Sequence, residues 1–389
     1  MNTQVAIARC ETYESEAVYA ALRLAVEAAA PPDVLGRTVL LKPNIVFDSP
    51  PEKAIVTHPV FLEAAIRLIR DLGASRILVG DSPGLQKLNF TAKLSGIGAV
   101  TKRMGAEWVD FTREKADIPC PAGKTVKQFF LTAAVKEADC VISLPKLKTH
   151  QLMYYTGAMK NLFGLVPSVA KSPMHVRFPS REAFASMIVD LNLAVMAHYA
   201  LMDAIIGMEG PGPGSGYPRR IGLILASSNL LALDAAASEI VGYPPQEIPV
   251  SREALSRGVW LKSFSEIEYP LLSPTELRIP DFKKIPFKKT GGQLTEFLLP
   301  RSFRKFRERL TPRPEIDRSI CLRCGDCTRI CGSKAMALTG KGPGKQVRID
   351  YTTCIRCYCC HEICPVNAIN IKKVPLRESF FPRSSNADP

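Results

Sequence analysis

The chain has 389 residues, 46% of them hydrophobic, and a formal net charge of +14. The apolar content supports a real core, and the length allows one large or two ordinary domains beside a small module. The basic charge suggests nucleic acid, but no recognition motif accompanies it, so nucleic-acid binding is disfavoured.

The sequence indicates neither export nor membrane insertion. Residues 1–10 lack a basic region followed by an apolar run, so no secretory signal is expected. The longest apolar stretch, 187–208, carries too many polar groups for a membrane span, namely Asp190, Asn192, His198 and Asp203. Twelve cysteines without a sign of export are typical of a reducing compartment, and we expect a cytoplasmic protein.

The first two thirds of the chain alternate predicted strands with predicted helices. The predicted strands are 4–8, 38–42, 77–80, 106–111, 140–144 and 221–226, and the predicted helices are 14–29, 57–72, 92–104 and 230–241. Thr57 is the predicted N-cap of the second helix. Near-continuous apolar strands indicate a mainly parallel sheet with helices on both faces, so residues 1–268 are predicted to form one α/β domain.

Polar residues follow these strands at the positions where open α/β sheets bind ligands. Lys42 and Asn44 follow the second strand, and Asp81 follows the third. The densest group comes after strand 140–144 and comprises Lys146, Lys148, His150, Lys160 and Asn161. A glycine-rich segment, 207–216, contains Glu209, Gly210 and Gly212 and follows a strand that contains Asp203.

Several motifs here resemble the domain-of-unknown-function 362 family over residues 38–245. They are PKLKTH at 145–150, TGAMKNLFGLVP at 156–167 and GMEGPGPGSG at 207–216, with LLKPN upstream and LALDAAASEIVG downstream. Members of that family often carry a two-cluster ferredoxin module, so the resemblance implies an architecture and an iron–sulfur setting but no reaction. By position, the recurring polar residues of the family map to Lys42, Asn44, Asp81, Lys146, Lys148, His150, Lys160, Asn161, Asp203, Glu209 and Asp234.

These residues suggest a crevice for an anionic small molecule. Four ammonium groups, those of Lys42, Lys146, Lys148 and Lys160, would repel each other unless a carboxylate or phosphate were bound. Asn44 and Asn161 are further substrate-binding candidates. The backbone N–H groups of Gly210 and Gly212 are predicted to approach the same anion.

His150 is the predicted proton donor because imidazole titrates near neutrality, and Lys148 is a second catalytic candidate. Asp81, Asp203 and Glu209 are candidate bases or, alternatively, ligands for a divalent cation such as magnesium.

Each of these residues also has a structural interpretation. Lys146 can be a solvated lysine, Lys160 and Asn161 can begin a helix, and Asp234 can be a helix-terminal charge. His175 is interpreted as a loop residue rather than part of a lid. The segment GPGPGSG is not a dinucleotide fingerprint, because its prolines block the required turn.

Residues 269–315 are interpreted as a basic, proline-rich linker. Between 281 and 314 there are ten basic and three acidic residues, a net charge of +7. Within it, 294–310 combines three phenylalanines with a basic face. The alternatives are a helix that packs on the protein and a helix that lies on an anionic membrane surface as a peripheral contact. The tail, 374–389, is predicted to be disordered.

Eight cysteines near the C-terminus form two copies of one spacing, C-x2-C-x2-C-x3-C. They are Cys321, Cys324, Cys327 and Cys331, then Cys354, Cys357, Cys360 and Cys364. Ile316, Asp317 and Ala335 recur at the same offset of 33 residues, which indicates a duplicated structural unit. Zinc sites usually show paired C-x2-C knuckles, and disulfides need an oxidising compartment, so both alternatives fit less well.

Residues 316–373 resemble the bacterial two-[4Fe-4S] ferredoxin family, in which the fourth cysteine of each run ligates the other cluster. The resemblance implies that one cluster takes Cys321, Cys324, Cys327 and Cys364, and the other takes Cys354, Cys357, Cys360 and Cys331. Cys359 does not fit the spacing and is left out of the ligands. Gly332 departs from the family, in which a proline usually follows the fourth cysteine.

The leading hypothesis is an oxidoreductase that passes electrons through two [4Fe-4S] clusters to an anionic substrate held in the α/β domain. Residues 316–373 hold ten basic and four acidic residues, so an acidic electron donor or acceptor protein is expected. One alternative is a ferredoxin-like carrier whose α/β domain docks a partner. The other is a non-redox enzyme with structural or sensory clusters.

Overall fold

The computed structural model describes residues 2–85, 90–287 and 311–374. The chain divides into two compact units. The first contains Met1–Lys171 and Ser180–Ile285, and the second contains Ser172–Pro179 and Pro286–Pro389. The predicted segment 294–310 and most of the predicted tail lie outside the described residues.

The first unit is built on a nine-stranded mixed sheet. Its strands are β1 (Ala6–Arg9), β2 (Thr38–Pro43), β3 (Arg76–Val79), β4 (Glu107–Trp108), β7 (Cys140–Leu144), β8 (Lys146–His150), β9 (Tyr154–Thr156), β10 (Tyr199–Glu209) and β11 (Tyr217–Ser227). The main order is β1-β11-β10-β7-β2-β3-β4, with β8 and β9 attached beside β10. The run from β10 through β7, β2 and β3 to β4 is parallel, whereas β1 and β11 are antiparallel to their neighbours. A separate hairpin joins β5 (Lys115–Pro119) and β6 (Gln128–Thr132).

Helices cover both faces of this sheet. They are α1 (Ser15–Ala28), α2 (Pro59–Asp71), α3 (Ile97–Arg103), α4 (Ala134–Glu137), α5 (Ala158–Asn161), α7 (Arg181–Val195), α8 (Leu230–Ile240) and α9 (Pro249–Arg257). A further helix, α6 (Ser168–Arg177), begins in the first unit and continues into the second. Val39 and Leu41 of β2 pack in one core cluster with residues of α1, α2 and α3. Leu40 lies between them, points to the opposite face and is equally buried. On that side α5 contacts β7, and α8 contacts β10 and β11. The predicted fold class is therefore confirmed.

Two predicted boundaries differ from the structure. Helix α2 begins at Pro59 with His58, not Thr57, as its N-cap. The Thr57 hydroxyl is used elsewhere: it donates to Leu144 O (2.7 Å) and accepts from Asn44 N (2.8 Å), which fastens two strand ends together. His175 lies inside α6 and is buried, rather than in the loop that was predicted.

The first unit continues past the predicted boundary at residue 268 to Ile285. Ile279 N donates to Ile240 O (2.8 Å) at the end of α8, and Ile285 N donates to the hydroxyl of Tyr243 (2.7 Å). Prolines made this stretch resemble a linker, but its backbone hydrogen bonds are satisfied by the domain before it.

The second unit contains the duplicated segment. Its elements are β12 (Arg313–Ile316), α10 (Asp326–Ile330), β13 (Met336–Thr339), β14 (Gln346–Ile349), α11 (Cys359–Glu362) and β15 (Ile369–Lys372). β12 pairs with β15, and β13 pairs with β14, both antiparallel. Asp317 N donates to Ala368 O and Asp350 N donates to Ala335 O, both at 2.7 Å. These two bonds are related by the 33-residue offset, so the repeat in the sequence is a repeat in the structure.

Within the described residues, no helix is long and apolar enough to cross a membrane.

The carboxylate of Asp190 on α7 holds the connection between β5 and β6. It accepts hydrogen bonds from the backbone of Lys124 (2.8 Å), Thr125 (2.7 Å) and Val126 (2.8 Å), and an ion pair from Arg257 at 3.2 Å. Burial raises the pKa of Asp190, but the hydrogen bonds from the Thr125 hydroxyl and these N–H groups outweigh it and leave the pKa below its usual value. The buried carboxylate is thus ionised and fully bonded.

We expect Asp190→Asn to lower the free energy of unfolding by about 2–4 kcal/mol at pH 7, because an amide cannot accept all of these bonds. The folded-state pKa lies below the unfolded value of about 4, so this contribution is present above about pH 4 and is lost as the pH falls further. Urea unfolding across this range checks both statements. The exposed Asp117→Asn is the control and should change stability little; equal losses for the two variants would contradict the assignment.

Candidate functional site

Four cysteines from both sequence copies line one cavity in the second unit. Cys321, Cys324, Cys327 and Cys364 are among the residues that line it. Burial raises the pKa of Cys327 to about 12, and the nearby thiols of the other three add to that shift. The fourth cysteine of the second copy therefore lies with the first three of the first copy.

The other four cysteines form the reciprocal group. Burial raises the pKa of Cys360, and the neighbouring thiols of Cys357, Cys354, Cys327 and Cys331 raise it further. Cys331 also raises the pKa of Cys354. These thiols therefore lie near one another, while the crossed ligation implied by the ferredoxin resemblance stays a prediction.

These thiols fit iron–sulfur ligation. All twelve cysteines are free, so none of the eight is used in a disulfide. Soft thiolates in two sets of four are the donor set of [4Fe-4S] clusters. Among the described residues, no three His, Cys, Asp or Glu side chains are grouped in a way that would hold a single metal ion. The divalent cation suggested by the sequence therefore stays a prediction without support from the structure.

Cys359 has a role that its spacing did not suggest. Its thiol is buried and donates a hydrogen bond to Cys357, which lowers the pKa of Cys357 and raises its own. Hydrogen bonds to ligating sulfurs are one means by which proteins set cluster potentials.

In the first unit, a buried ion pair lies at the ends of two adjacent parallel strands. Lys42 Nζ is 2.9 Å from Asp81 Oδ1, and the two side chains are 1% and 2% exposed. Lys42 Nζ also donates to Asn161 Oδ1 (2.9 Å) and to Pro43 O (2.7 Å). The Asp81 carboxylate accepts from Ile45 N (2.5 Å) and from Ser82 N (2.7 Å). This carboxylate is engaged by three donors, the Lys42 ammonium and two backbone N–H groups, and is not poised as a free base.

Asn161 connects this pair to neighbouring elements. Its Oδ1 also accepts from Asn44 Nδ2 (3.0 Å), and its Nδ2 donates to Lys42 O and to Ser143 Oγ (both 3.0 Å). Lys148 Nζ donates in turn to Asn44 Oδ1 and, at 2.8 Å, to Ile55 O. Five predicted residues, Lys42, Asn44, Asp81, Lys148 and Asn161, thus form one continuous network.

A second buried ion pair lies at the start of β8. Lys146 Nζ is 2.8 Å from Asp203 Oδ2 and 2.7 Å from the hydroxyl of Tyr13. That hydroxyl donates to Asp203 Oδ1 (2.8 Å), and His58 N donates to Asp203 Oδ2 (2.9 Å). The rings of Tyr13 and His58 stack with centroids 3.5 Å apart. Lys146 is therefore buried and paired, not solvated.

The pKa values of these groups follow from burial. Burial lowers the pKa of both Lys42 and Lys146, and the partner carboxylates of Asp81 and Asp203 oppose that shift. Burial lowers the pKa of His58 to about 4, so its imidazole is neutral at pH 7. The sequence-based premise of uncompensated ammonium groups is wrong for Lys42 and Lys146, because each has a carboxylate partner inside the protein.

His150 is buried at the end of β8. Its Nδ1 accepts from Leu152 N (3.1 Å) and from Met153 N (3.4 Å). An imidazole whose Nδ1 accepts hydrogen bonds can donate only from Nε2. The predicted role of His150 as a proton donor stays a prediction.

The glycine-rich segment after β10 is held by internal hydrogen bonds. Gly210 N donates to Lys283 O (2.7 Å), and Gly212 N donates to Gly210 O (2.8 Å). Glu209 Oε2 accepts from Lys283 N (3.0 Å). A Cβ atom on Gly212 would lie 2.3 Å from Thr149 O, so this glycine permits close packing. The predicted anion-binding role of the Gly210 and Gly212 N–H groups was wrong, because both already have acceptors.

Asp234 caps α5. Its carboxylate accepts from Ala158 N (2.6 Å) and Met159 N (3.0 Å), and burial raises its pKa to about 7 despite these bonds. Asp234 thus orients the helix that carries Lys160 and Asn161. Its role is structural, and it acts on a helix that is distant in the sequence.

Tyr13 and His58 were missed by sequence reasoning. Tyr13 lies four residues after β1 and just before α1, and His58 immediately precedes a proline at the start of α2, so neither stands directly at the end of an apolar strand. Only the packing of both helices on the sheet brings them to Asp203. The one local signal is the His58-Pro59 pair, which marks a helix start.

Comparison with known families agrees with this arrangement. The profile described as domain of unknown function (DUF362) matches residues 39–239, more than half of the chain, and that of a 4Fe-4S dicluster domain matches residues 313–365. A thylakoid-associated protein of Synechocystis sp. is 29% identical over 307 residues, which cover 78% of this chain and 91% of that protein.

Two solved structures are similar to part of the chain. The lactate racemase apoprotein of Thermoanaerobacterium thermosaccharolyticum gives a TM-score of 0.39 at 11% identity and covers 60% of this chain. A protein from Thermotoga maritima gives a TM-score of 0.35 at 9% identity and covers 54% of this chain. The chain spans 55% of the length of each of these structures.

We expect Asp81→Asn to lower the free energy of unfolding by about 3–5 kcal/mol, because it leaves the Lys42 ammonium buried without its carboxylate. The double variant Lys42→Met/Asp81→Leu should lose less than the single variant, since it removes both charges. Denaturant unfolding measures both. Asp33→Asn, at an exposed ion pair, is the control and should cost less than about 1 kcal/mol; a double variant that loses more than Asp81→Asn would refute the reasoning.

Proposed function

Because this chain belongs to the DUF362 family and carries a 4Fe-4S dicluster domain, we propose that it is an iron–sulfur oxidoreductase. In this proposal it moves electrons between a redox partner and a small molecule bound at the strand ends of the α/β unit. The dicluster domain supports the electron-transfer role, and the polar network of the first unit supports an enzyme rather than a carrier.

Two sets of residues would hold two [4Fe-4S] clusters: Cys321, Cys324, Cys327 and Cys364 in cluster 1, and Cys354, Cys357, Cys360 and Cys331 in cluster 2. When bound, each cluster supplies one-electron chemistry. A hydrogen bond from Cys359 to the sulfur of Cys357 would favour the more reduced state of a cluster held there.

The observation that carries the enzymatic part is the pair of buried ion pairs, Lys42–Asp81 and Lys146–Asp203. Buried ion pairs are poor sources of stability, since apolar replacements often fold as well or better. Charged groups with shifted pKa values at the carboxyl ends of parallel strands are instead typical of ligand sites. A domain that only docks a partner would not need them.

Each residue then has a role. His150, with its proton on Nε2, donates a proton to the substrate as it accepts electrons. Lys148 and Lys160 are the remaining ammonium groups of the proposed site. They would favour a small anionic substrate. The Lys42–Asp81 pair and Asn161 orient Asn44, which positions Lys148. Glu209 remains a catalytic candidate at the end of β10.

The proposal includes a cytoplasmic location and a reversible contact with a membrane surface, both of which the sequence predicts. The description of the Synechocystis relative as thylakoid-associated supports such contact for this chain, with 294–310 as the predicted segment.

The cysteine assignment predicts how double variants lose iron. An intact chain should hold about eight irons, and Cys331→Ala/Cys354→Ala should keep about four, because both changes affect cluster 2. Cys331→Ala/Cys321→Ala should keep about none, because it affects both clusters. Iron and sulfide analysis with EPR spectroscopy of anaerobically prepared protein measures this. Cys359→Ala is the control and should keep all the iron; the reverse order of the two double variants would show that the ligation is not crossed.

The enzymatic proposal predicts that one class of metabolite reoxidises the dithionite-reduced protein. Reoxidation followed by visible absorbance and EPR should be at least about tenfold slower in His150→Gln, because a proton donor contributes that much or more. Iron content should be unchanged, and the exposed Lys102→Met serves as control. If no fraction of a cell extract reoxidises fully loaded protein, it is a carrier. If a substrate turns over at equal rates with oxidised and reduced protein, it is a non-redox enzyme.

A further inference from the structure

The two halves of the ferredoxin-like unit are repeats in sequence and structure, but they are not equally covered. The 33-residue offset makes each residue of the first ligand loop, 318–324, comparable with one in the second, 351–357. Because the two loops have the same fold, a difference in their solvent exposure comes from the segments that pack against each of them.

The second ligand loop is covered by the two residues that precede β12. Arg356 Nη1 donates to Thr311 O (2.7 Å), and the Tyr358 hydroxyl donates to Pro312 O (2.8 Å). Tyr358 is only 3% exposed. Segment 311–312 thus packs over the loop that carries Cys354 and Cys357.

The remaining ligand of that group, Cys331, is covered from another direction. Ser172 Oγ donates to Ile330 O (2.7 Å) within the second unit. A Cβ atom at Gly332 would lie 2.4 Å from Ser172 Oγ and 2.9 Å from Val176 Cγ2. The family's usual proline would not fit here, so Gly332 allows Ser172–Pro179 to pack beside Cys331. Pro365, at the equivalent position of the other copy, is exposed.

The first ligand loop, by contrast, is open to solvent. Leu322 is 64% exposed, Ile320 is 47% exposed, and Cys324 is exposed as well. Arg318 and Arg323 are exposed beside them, and 318–324 contains no acidic residue. We name residues 318–324 the cluster-1 lip. Large apolar side chains at the surface, ringed by arginines, are typical of interaction sites.

We propose that the cluster-1 lip is the docking surface for an acidic one-electron redox protein, and that cluster 2 is closed to such partners. Carboxylates of the partner face Arg318 and Arg323, while Ile320 and Leu322 supply apolar contact at the centre. The partner gives up one electron and this chain gains one at the cluster held by Cys321, Cys324, Cys327 and Cys364; no bond forms. Electrons therefore enter or leave at one defined side.

The inference deepens the proposed function and needs its clusters to be present. The probe is a flavodoxin, a small acidic flavoprotein, and the protein is the full chain, anaerobically loaded with iron and sulfide. Surface plasmon resonance measures binding, and stopped-flow absorbance measures transfer from the flavin hydroquinone. The repeat supplies a matched pair of variants: Ile320→Glu on the lip and Thr353→Glu at the equivalent exposed position.

Ile320→Glu should weaken flavodoxin binding about tenfold or more and slow transfer by a similar factor, because it adds repulsion and removes apolar contact. Arg323→Glu should act in the same direction and reduce the dependence on salt, and Lys102→Glu controls for net charge. Thr353→Glu should leave both quantities within about twofold of the unchanged protein. Basic cytochrome c should bind more weakly than flavodoxin.

Equal effects of Ile320→Glu and Thr353→Glu, or no effect of either, would overturn the inference, as would tighter binding of cytochrome c. Binding that persists in the variants while transfer is lost would also overturn it, because the lip would then not be the docking surface. Failure of the proposed function has a different signature, since iron analysis and EPR would show no reducible clusters before any partner is added.

Discussion

The first unit depends on one buried contact, the ion pair of Lys42 with Asp81, which the side chain of Asn161 extends to Asn44 and Lys148. Two charges taken out of water are tolerated only when every remaining donor and acceptor is satisfied. β2 and β3 are adjacent and parallel, so their carboxyl ends place the two side chains together. The neighbouring backbone and the Asn161 side chain then supply the remaining hydrogen bonds. The constraint explains why these strand ends carry a connected polar network inside an otherwise apolar core.

The second unit depends on the way its two duplicated copies are joined. Duplication supplies two equivalent sets of thiols, and the exchange of each fourth cysteine ties the two copies into one structure. The two copies nevertheless differ in solvent exposure, because different segments pack against them. Segment 311–312 and Ser172–Pro179 lie over ligands of one group, while the loop around Cys324 stays open. Among the described residues, the ligand loop around Cys324 is therefore more exposed than the equivalent loop around Cys357.

Much of the fold follows from local pattern. The strand 140–144 and the helix after Asn229 lie where the sequence places them, because apolar runs and caps act over a few residues. Errors occurred where distant contacts outweigh local preference. Thr57 is a good N-cap residue, but its hydroxyl joins two strand ends and His58 takes the cap. Prolines at 270–280 resemble a linker, but the backbone there bonds to α8.

The sequence by itself determined the two runs of four cysteines, the α/β class and most of the residues at the strand ends, because spacing and periodicity are local properties. Tertiary structure alone decided which charges neutralise each other. Lys42 and Lys146 are separated from Asp81 and Asp203 by dozens of residues, and only the order of strands in the sheet makes them partners. The same holds for Gly332, whose small size has meaning only because a segment from 160 residues earlier in the chain packs against it, as Ser172 shows.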